Sequence, residues 1–191
     1  GRAIRKKLSI AVPLPKMDFP EPNYLSLDQV MALVKVSGPL SRTIVTLMFD
    51  TALRISEALE LMVKDLKLDE GVAVVTRKGG RRQEVSLGQN SVKALREWLA
   101  VREGKDDRVF MDYDYHTVYR MLKGAAKKAG ISDFHPHLLR HSRIRHLLDS
   151  GMPLERVSEV AGHRRLDTTL KIYGSLRATE RARYLDEVAP W

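Results

Sequence analysis

Residues 134–151 read FHPHLLRHSRIRHLLDSG, and residues 152–174 continue with MPLERVSEVAGHRRLDTTLKIYG. The spacing of the first segment predicts a helix over 138–149. Side chains three positions apart share a helical face, so His137 and Arg140 would project together. The apolar side chains of the same helix would then face largely away, toward a core: Leu139, Ile144, Leu147 and Leu148.

The second segment adds a glycine–histidine pair, Gly162–His163, and then Tyr173, ten residues after that histidine. A cationic pair with a second histidine and a tyrosine close behind suggests a site for an anion that a phenol hydroxyl could attack. A helix with a solvated basic face explains this stretch equally well when it is taken alone. The rest of the chain has to decide between these two interpretations.

The composition favours a polyanionic partner. The 191 residues suffice for one sizeable core, and 43% hydrophobic with 30% charged residues is typical of a globular protein. The net charge of +9 suits nucleic acid, although an anionic membrane surface would also attract it. No run approaches the roughly 18 apolar residues of a membrane helix, and the N-terminus lacks the apolar core of a signal peptide.

The absence of cysteine and the scarcity of side-chain amides limit the chemistry and the setting. Without cysteine the chain has no disulfide and no thiolate zinc site, which fits a cytosolic protein. Only five asparagine and glutamine residues occur, which is compatible with a heat-adapted (thermophilic) source. We therefore expect a cytoplasmic protein associated with DNA.

The ends of the chain differ from its middle. Residues 1–22 carry four prolines and no sustained period, so we expect a basic arm or linker there. Gly1 in place of a methionine suggests a cut start and a missing upstream domain. One main domain is expected over 23–176, followed by an amphipathic C-terminal helix over 177–191.

Helix signals recur through the main domain. Ser26 and Gln29 form a capping box that opens a helix ending at Gly38-Pro39. The pattern is therefore mainly helical. Further helices are predicted over 41–51, over 115–128 and from Pro153 to Gly162. Another is expected to start at Arg54 and to carry Leu59, Leu61 and Met62 on its buried side, and one more is expected to follow a cap at Asn90.

A β-branched run at 71–76 and a second short run at 84–87 predict a β-hairpin. A hairpin that only turns needs no strong charge, so cations at its tip indicate contact with a phosphate backbone. Protective charges on exposed strands are the alternative explanation. The tip holds two glycines and four cations: Gly79, Gly80, Arg77, Lys78, Arg81 and Arg82.

Four motifs follow one another along the chain: TALRISEALEL at 51–61, the hairpin with Lys78, HLLRH at 137–141, and GHRRLDTTLKIY at 162–173. Together they resemble the catalytic domain of the tyrosine recombinases, the phage-integrase and Xer-like family. The resemblance extends from about residue 25 to the tyrosine of the last motif. It implies a mainly α-helical fold with a small antiparallel β-sheet that includes the hairpin.

The resemblance also implies site-specific cleavage and rejoining of DNA through a 3′-phosphotyrosyl intermediate, without metal, ATP or another cofactor. Tyr173 would be the nucleophile. Arg54 and Arg140 would clamp the scissile phosphate, because permanently charged guanidinium forks suit phosphate oxygens. Lys78 would protonate the leaving 5′-oxygen as the general acid.

Two histidines and a carboxylate complete the implied catalytic set. His137 and His163 match positions that hydrogen-bond the phosphate or assist proton transfer from the tyrosine. Glu57, one helical turn after Arg54, matches an acidic residue that orders the site.

The implied partner is double-stranded DNA at a specific recombination site. Family members bind it as homotetramers that exchange C-terminal segments, and residues 177–191 are the candidate segment; a monomer is the alternative for the protein alone. Five further arginines are expected to contact DNA: Arg77, Arg81, Arg82, Arg164 and Arg165.

Several alternatives stay open from the sequence. A type IB topoisomerase would use similar residues to relax DNA. A non-catalytic DNA-binding protein would use residues 154–169 as a helix-turn-helix. Tyr184 would replace Tyr173 as the nucleophile if the ten-residue spacing marks a shifted register. Three histidines could bind a metal, but no His-Glu-x-x-His pattern accompanies them: His135, His137 and His141.

Overall fold

Helices make up most of the part of the chain that the computed structural model describes, residues 24–103, 107–110 and 113–162. The predicted fold class, mainly α with a small antiparallel β-sheet, is confirmed. No helix within these ranges is both long and apolar enough to cross a membrane. In chain order the elements are α1 (Leu27–Val36), α2 (Pro39–Thr51), α3 (Ile55–Leu59), a 3-10 turn (Val63–Asp65), β1 (Leu66–Lys67), β2 (Val72–Arg77), β3 (Arg81–Ser86), α4 (Gln89–Val101), α5 (Tyr115–Lys128), α6 (Pro136–Asp149) and α7 (Leu154–Ala161).

Helix α2 lies at the centre of the fold, because it packs against α1, α3, α4, α5 and α6. Its apolar residues Ile44, Leu47 and Met48 are completely buried. Two buried threonines of the same helix, Thr43 and Thr51, donate their hydroxyls to backbone carbonyls one turn earlier, so neither hydroxyl is an unsatisfied donor. The chain that leaves α2 therefore starts from a position fixed by the core.

The three strands form one antiparallel sheet in the order β1, β2, β3. Ala73, Val75 and Val85 are buried on its inner face. Strands β2 and β3 pair from Val72 with Ser86 to Arg77 with Arg81, so they extend further into the basic residues than the sequence predicted. Only three residues, 78–80, remain as the tip of the hairpin.

Local signals account for several helix ends. The capping box is confirmed, since the Ser26 hydroxyl accepts from the backbone N–H of Gln29 and the Gln29 side chain accepts from that of Ser26. Helix α5 has the predicted bounds, and Asp114 caps it by accepting from the backbone N–H of Thr117. Helix α7 ends as predicted at Gly162, whose φ of 65° suits a glycine.

Several predicted helix boundaries were wrong, and α2 begins at Pro39 rather than at residue 41. Helix α3 ends at Leu59, because the next residues leave the helix and the backbone of Leu61 accepts from Val109 instead. Helix α4 begins at Gln89, so Asn90 is not its cap; the carboxylate of Asp50 binds the backbone N–H at Gly88, 2.7 Å away. Helix α6 begins at residue 136 rather than 138, because a proline suits the first turn of a helix.

A second, smaller apolar cluster joins α6 to α7. Ile144 and Leu147 of α6 pack there with Val157 and Ala161 of α7 and with Ala52, which follows α2. The apolar residues of α6 thus face the protein as predicted, and α7 is held against the helix that carries His137 and Arg140.

The start of the described chain is tied to the same helix. The backbone N–H of Leu25 donates to the hydroxyl of Ser142 at 2.8 Å. The carbonyl of Leu25 lies 2.9 Å from Nε2 of His146, one turn further along α6. Both backbone polar groups of this buried residue are therefore satisfied by one face of α6.

We expect Leu47→Ala to lower the free energy of unfolding by about 2–5 kcal/mol, since it opens a cavity in the completely buried centre of α2. Leu27→Ala removes the same atoms from a side chain that is 53% exposed and should cost less than about 0.5 kcal/mol. Urea unfolding followed by circular dichroism measures both. Equal losses would contradict the central position of α2.

Candidate active site

Arg54 is held at the corner where α2 gives way to α3. Ala52 ends α2 with a left-handed φ of 55°, and Arg54 is the extended residue just before α3. The carboxylate of Glu57 accepts from the backbone N–H of Arg54 at 2.9 Å, as the third residue of a helix does in a capping box. It also binds Nη1 of the same arginine at 2.8 Å. Both the backbone and the guanidinium of Arg54 are thus fixed by one side chain.

Glu57 binds a second arginine through the oxygen that accepts from the backbone N–H of Arg54. Its Oε2 lies 2.7 Å from Nη1 of Arg77, and both side chains are almost fully buried. Burial by itself would raise the pKa of Glu57. The backbone hydrogen bond from Arg54 and the charges of Arg77 and Arg54 outweigh burial, so the pKa of Glu57 lies below its ordinary value. Glu57 is therefore a carboxylate anion at neutral pH.

Arg140 reaches the same corner from α6. It is 4% exposed, and its Nη1 donates to the carbonyl of Ala52, two residues before Arg54. The sequence spacing that predicted His137 beside Arg140 gave no indication of this contact across 88 positions. Because α6 packs directly on α2, the two arginines predicted to clamp a phosphate converge on one turn of backbone.

His137 lies in the first turn of α6, exposed, beside these cations. Partial burial and the charges of Arg140 and then Arg54 lower its pKa below the ordinary histidine value, so the ring is neutral at pH 7. The ring of His141 lies one turn further on, 6.5 Å from His137 between centroids. Burial, repulsion from His137 when that ring is protonated, and the charge of Arg140 also lower the pKa of His141.

Lys78 stands at the exposed tip of the hairpin, directly after β2. Gly79 and Gly80 follow with φ of 85° and 75°, a backbone conformation that residues other than glycine rarely adopt. The N–H of Gly80 closes the turn on the carbonyl of Arg77 at 3.0 Å. The turn therefore presents the lysine side chain to solvent at the end of a paired strand.

The arginines of the hairpin have different surroundings. Arg81 is exposed and donates to Gln83, and Arg82 is ion-paired with Asp65. Arg77 was predicted to contact DNA, but the structure places it inside, with its guanidinium on Glu57. It shares the inward register of strand β2 with Ala73 and Val75, and that two-residue alternation is the signal that could have revealed its position.

Other predicted site residues lie outside the described residues, and their roles stay predictions. Gly162, the residue before His163, packs against Arg77: a Cβ added to it would lie 2.6 Å from Cζ of that arginine. The described chain therefore ends its last helix beside Glu57, Arg77 and the hairpin. The residues beyond it are His163, Arg164, Arg165, Tyr173, the alternative Tyr184 and the segment 177–191.

The described side chains offer strong cationic chemistry. Across residues 24–103, 107–110 and 113–162, no three histidine or carboxylate side chains group in a way that could hold a metal ion. Two permanently charged guanidiniums meet near one neutral imidazole, and an exposed primary amine lies on the adjoining hairpin. Such a set can bind a phosphate, stabilise charge that builds up on its oxygens, and supply a proton.

We expect Glu57→Gln to lower the free energy of unfolding by about 3 kcal/mol at pH 7, because it leaves Arg77 buried without its counter-charge. The folded-state pKa of Glu57 is depressed, so its contribution is present above the unfolded value of about 4.3. That contribution is lost as pH falls through the folded pKa. Unfolding measured from pH 7 to acid should therefore show the gap between wild type and variant closing.

Glu84→Gln is the control for this measurement. Glu84 is exposed and pairs only loosely with Lys67, at 3.5 Å. Its substitution should cost less than about 0.5 kcal/mol and show little dependence on pH. A gap for Glu57→Gln that stayed constant into acid would contradict an ionised carboxylate in the folded protein.

Comparison with known proteins agrees with this geometry. The model of the Phage integrase family matches residues 23–180. The tyrosine recombinase XerC of Proteus mirabilis is 33% identical over 191 aligned positions, which cover 92% of this chain and 62% of that protein. The tyrosine recombinase XerD of Staphylococcus saprophyticus is 27% identical, over 97% of this chain and 68% of that protein. The chain thus spans roughly two thirds of the length of these relatives.

Solved structures share the fold. The crystal structure of XerA recombinase superposes with a TM-score of 0.77 at 27% identity, over 89% of this chain and 66% of that one. The XerH site-specific recombinase bound to its difH substrate gives 0.72 at 23% identity, over 88% and 55%. The family match extends over both arginines of the α2–α6 corner and over the hairpin. The chain belongs to the phage integrase family of tyrosine recombinases.

Proposed function

We propose that this chain is the catalytic part of a site-specific DNA recombinase that cuts and rejoins DNA strands through a 3′-phosphotyrosyl intermediate. The observation that carries the proposal is the convergence of Arg54 and Arg140 on one backbone corner, with Glu57 fixing the first and the carbonyl of Ala52 receiving the second. Relatives that cover most of the chain are tyrosine recombinases. These relatives favour a recombinase over a DNA-relaxing topoisomerase.

In the proposed cleavage step the hydroxyl of Tyr173 attacks the scissile phosphorus. A bond forms between phosphorus and the phenol oxygen, the bond to the 5′-oxygen breaks, and the 5′-oxygen leaves with a proton. Rejoining reverses the step when the 5′-hydroxyl of the partner strand attacks the phosphotyrosyl ester. The ester keeps the energy of the broken bond, so no nucleotide has to be hydrolysed.

The arginines are proposed to act on the phosphate itself. Negative charge builds up on its two non-bridging oxygens as five oxygens surround phosphorus, and guanidiniums already in place need no reorganisation. Arg54 and Arg140 are held by protein acceptors before DNA binds. Part of the conformational entropy of these side chains is therefore lost during folding and does not have to be lost when DNA binds. This is the role that a divalent cation has in many other phosphoryl-transfer enzymes.

Two neighbouring groups are proposed to handle protons. Lys78 gives a proton to the leaving 5′-oxygen, which would otherwise depart as a strongly basic alkoxide. His137, neutral at pH 7 because its pKa is lowered, can accept a hydrogen bond or the phenol proton directly or through water. His163 is proposed to share this work.

A basic face on α5 supports DNA as the partner. The helix contains no carboxylate, and its exposed side carries Arg120, Lys123, Lys127 and Lys128. Cations gathered on one side of a helix suit a phosphate backbone, and such binding weakens steeply with salt. We propose that double-stranded DNA at a specific site is the substrate. A homotetramer that exchanges residues 177–191 between subunits is proposed as the active assembly.

The first test is covalent trapping. The substrate is a nicked duplex whose sequence is recovered from a randomised DNA library by its binding to this protein. We expect a protein–DNA adduct that forms in EDTA, disappears in Tyr173→Phe and persists in Tyr184→Phe, since only the first variant removes the proposed nucleophile. Denaturing gel electrophoresis of labelled DNA measures the adduct.

Each departure from this result has a defined meaning. An adduct that persists in Tyr173→Phe and is lost in Tyr184→Phe would move the nucleophile to the second tyrosine. Specific binding without any adduct would favour a non-catalytic DNA-binding protein.

A second prediction concerns the phosphate clamp. Arg54→Lys keeps the charge but loses the fork, so adduct formation should slow by about 100-fold or more while DNA binding changes little. Arg96→Lys makes the same change at an exposed ion pair on α4, away from the corner. Single-turnover adduct formation and gel-shift titration on the same duplex separate the two effects. A normal rate for Arg54→Lys would contradict the clamp.

A further inference from the structure

Arg77 is the exception among the cations of the hairpin. Its side chain is 3% exposed, whereas Lys78, Arg81 and Arg82 are exposed. Burying a guanidinium is costly unless protein acceptors replace the water it loses. The acceptors of Arg77 therefore indicate what this side chain does.

Those acceptors come from three separate elements. Nη1 binds Glu57 of α3 at 2.7 Å, Nε donates to Oε1 of Gln83 on β3 at 3.3 Å, and Nη2 donates to the carbonyl of Val160 on α7 at 3.4 Å. Gly162 closes over the same guanidinium, with no room for a side chain. One planar group thus joins the hairpin, the corner that holds Arg54 and the end of α7.

A contribution to stability does not explain this arrangement by itself. A buried ion pair adds little net stability compared with apolar residues of the same shape. What a guanidinium adds is direction, because its donors leave a rigid plane at fixed angles. Arg77 is also the last residue of β2, so fixing its side chain fixes the backbone from which the next residue starts.

We propose that Arg77 is a positioning residue that orients Lys78 for proton donation. The inference rests on the proposed function, in which Lys78 protonates the 5′-oxygen. Two glycines follow Lys78, so the chain on that side gives little restraint. The anchor on the other side, one residue away, restricts where the amine can reach relative to Arg54. Arg77 acts through Lys78 and does not touch the DNA.

The test separates loss of proton donation from other defects. Two nicked duplexes carry the selected sequence, one with the ordinary 5′-bridging oxygen at the scissile phosphate and one with sulfur there. A thiolate leaves without a proton, so the sulfur duplex does not need the general acid. Lys78→Ala is the reference for an enzyme that lacks the acid.

We expect Arg77→Met to form adduct about 100-fold more slowly than wild type on the oxygen duplex, as a displaced catalytic group does. On the sulfur duplex it should react at nearly the wild-type rate, as Lys78→Ala should. Arg77→Lys keeps the charge and loses the planar guanidinium. Its rate of adduct formation on the oxygen duplex should lie between those of wild type and Arg77→Met, and its rate on the sulfur duplex should be nearly that of wild type. Arg96→Met, which removes an exposed arginine on α4, controls for the loss of one charge.

A second pair of variants moves Arg77 without removing it, in case Arg77→Met fails to fold. Gly162→Ala places a Cβ within 2.6–2.9 Å of three atoms of the guanidinium. Gly151→Ala puts the same methyl group at a similar left-handed φ of 80°, in open space. Both carry the backbone strain of alanine at positive φ, but only Gly162→Ala should lose rate on oxygen and regain it on sulfur.

Three results would overturn the inference. The first is a normal rate for Arg77→Met on oxygen. The second is a deficit of Arg77→Met and Gly162→Ala that is as large on sulfur as on oxygen, because that defect lies in the phosphate clamp or the nucleophile. The third is a wild-type protein that forms no adduct on either duplex, which would remove the proposed function and this inference with it. Adduct from wild type with an unrescued variant removes the inference alone.

Discussion

The carboxylate of Glu57 is the constraint on which the rest of the site depends. It is one buried anion that holds two arginines: Oε1 binds the guanidinium of Arg54, and Oε2 accepts from both the backbone N–H of Arg54 and the guanidinium of Arg77. The buried position of Arg77 depends on this counter-charge, because desolvation and repulsion from Arg54 both oppose its positive charge there. The helical layer and the sheet are therefore joined electrostatically at the point where the proposed chemistry takes place.

Much of the fold could be predicted from the sequence, because its signals are local. The capping box at Ser26 and the helix over 115–128 follow from neighbouring side chains and from periodicity. The predicted pair of His137 and Arg140 on one face of α6 also follows from spacing within a single helix. The family motifs pointed to His137 and Arg140 as well, and in the structure Arg54 lies close to both of them.

The remainder depended on contacts between distant parts of the chain. Nothing near Arg140 indicates that its guanidinium donates to the carbonyl of Ala52, 88 positions earlier. Arg77 was predicted to contact DNA because it belongs to the basic tip of the hairpin, yet its guanidinium lies inside the protein on the buried carboxylate of Glu57. Helix α3 was predicted too long for a related reason: Leu61 is buried, but it lies beyond the helix, where its carbonyl accepts from the backbone N–H of Val109.

The tie between Leu25 and α6 gives the protein a direct mechanical connection. Two hydrogen bonds, between the backbone of Leu25 and the side chains of Ser142 and His146, hold the first described residues on the helix that carries Arg140. Leu25 is also buried in the main hydrophobic core, so a displacement of the chain at Tyr24 would act on α6 both through these hydrogen bonds and through that core. The position of Leu25 is therefore coupled to the helix that carries His137 and Arg140, the two side chains proposed to act on the phosphate.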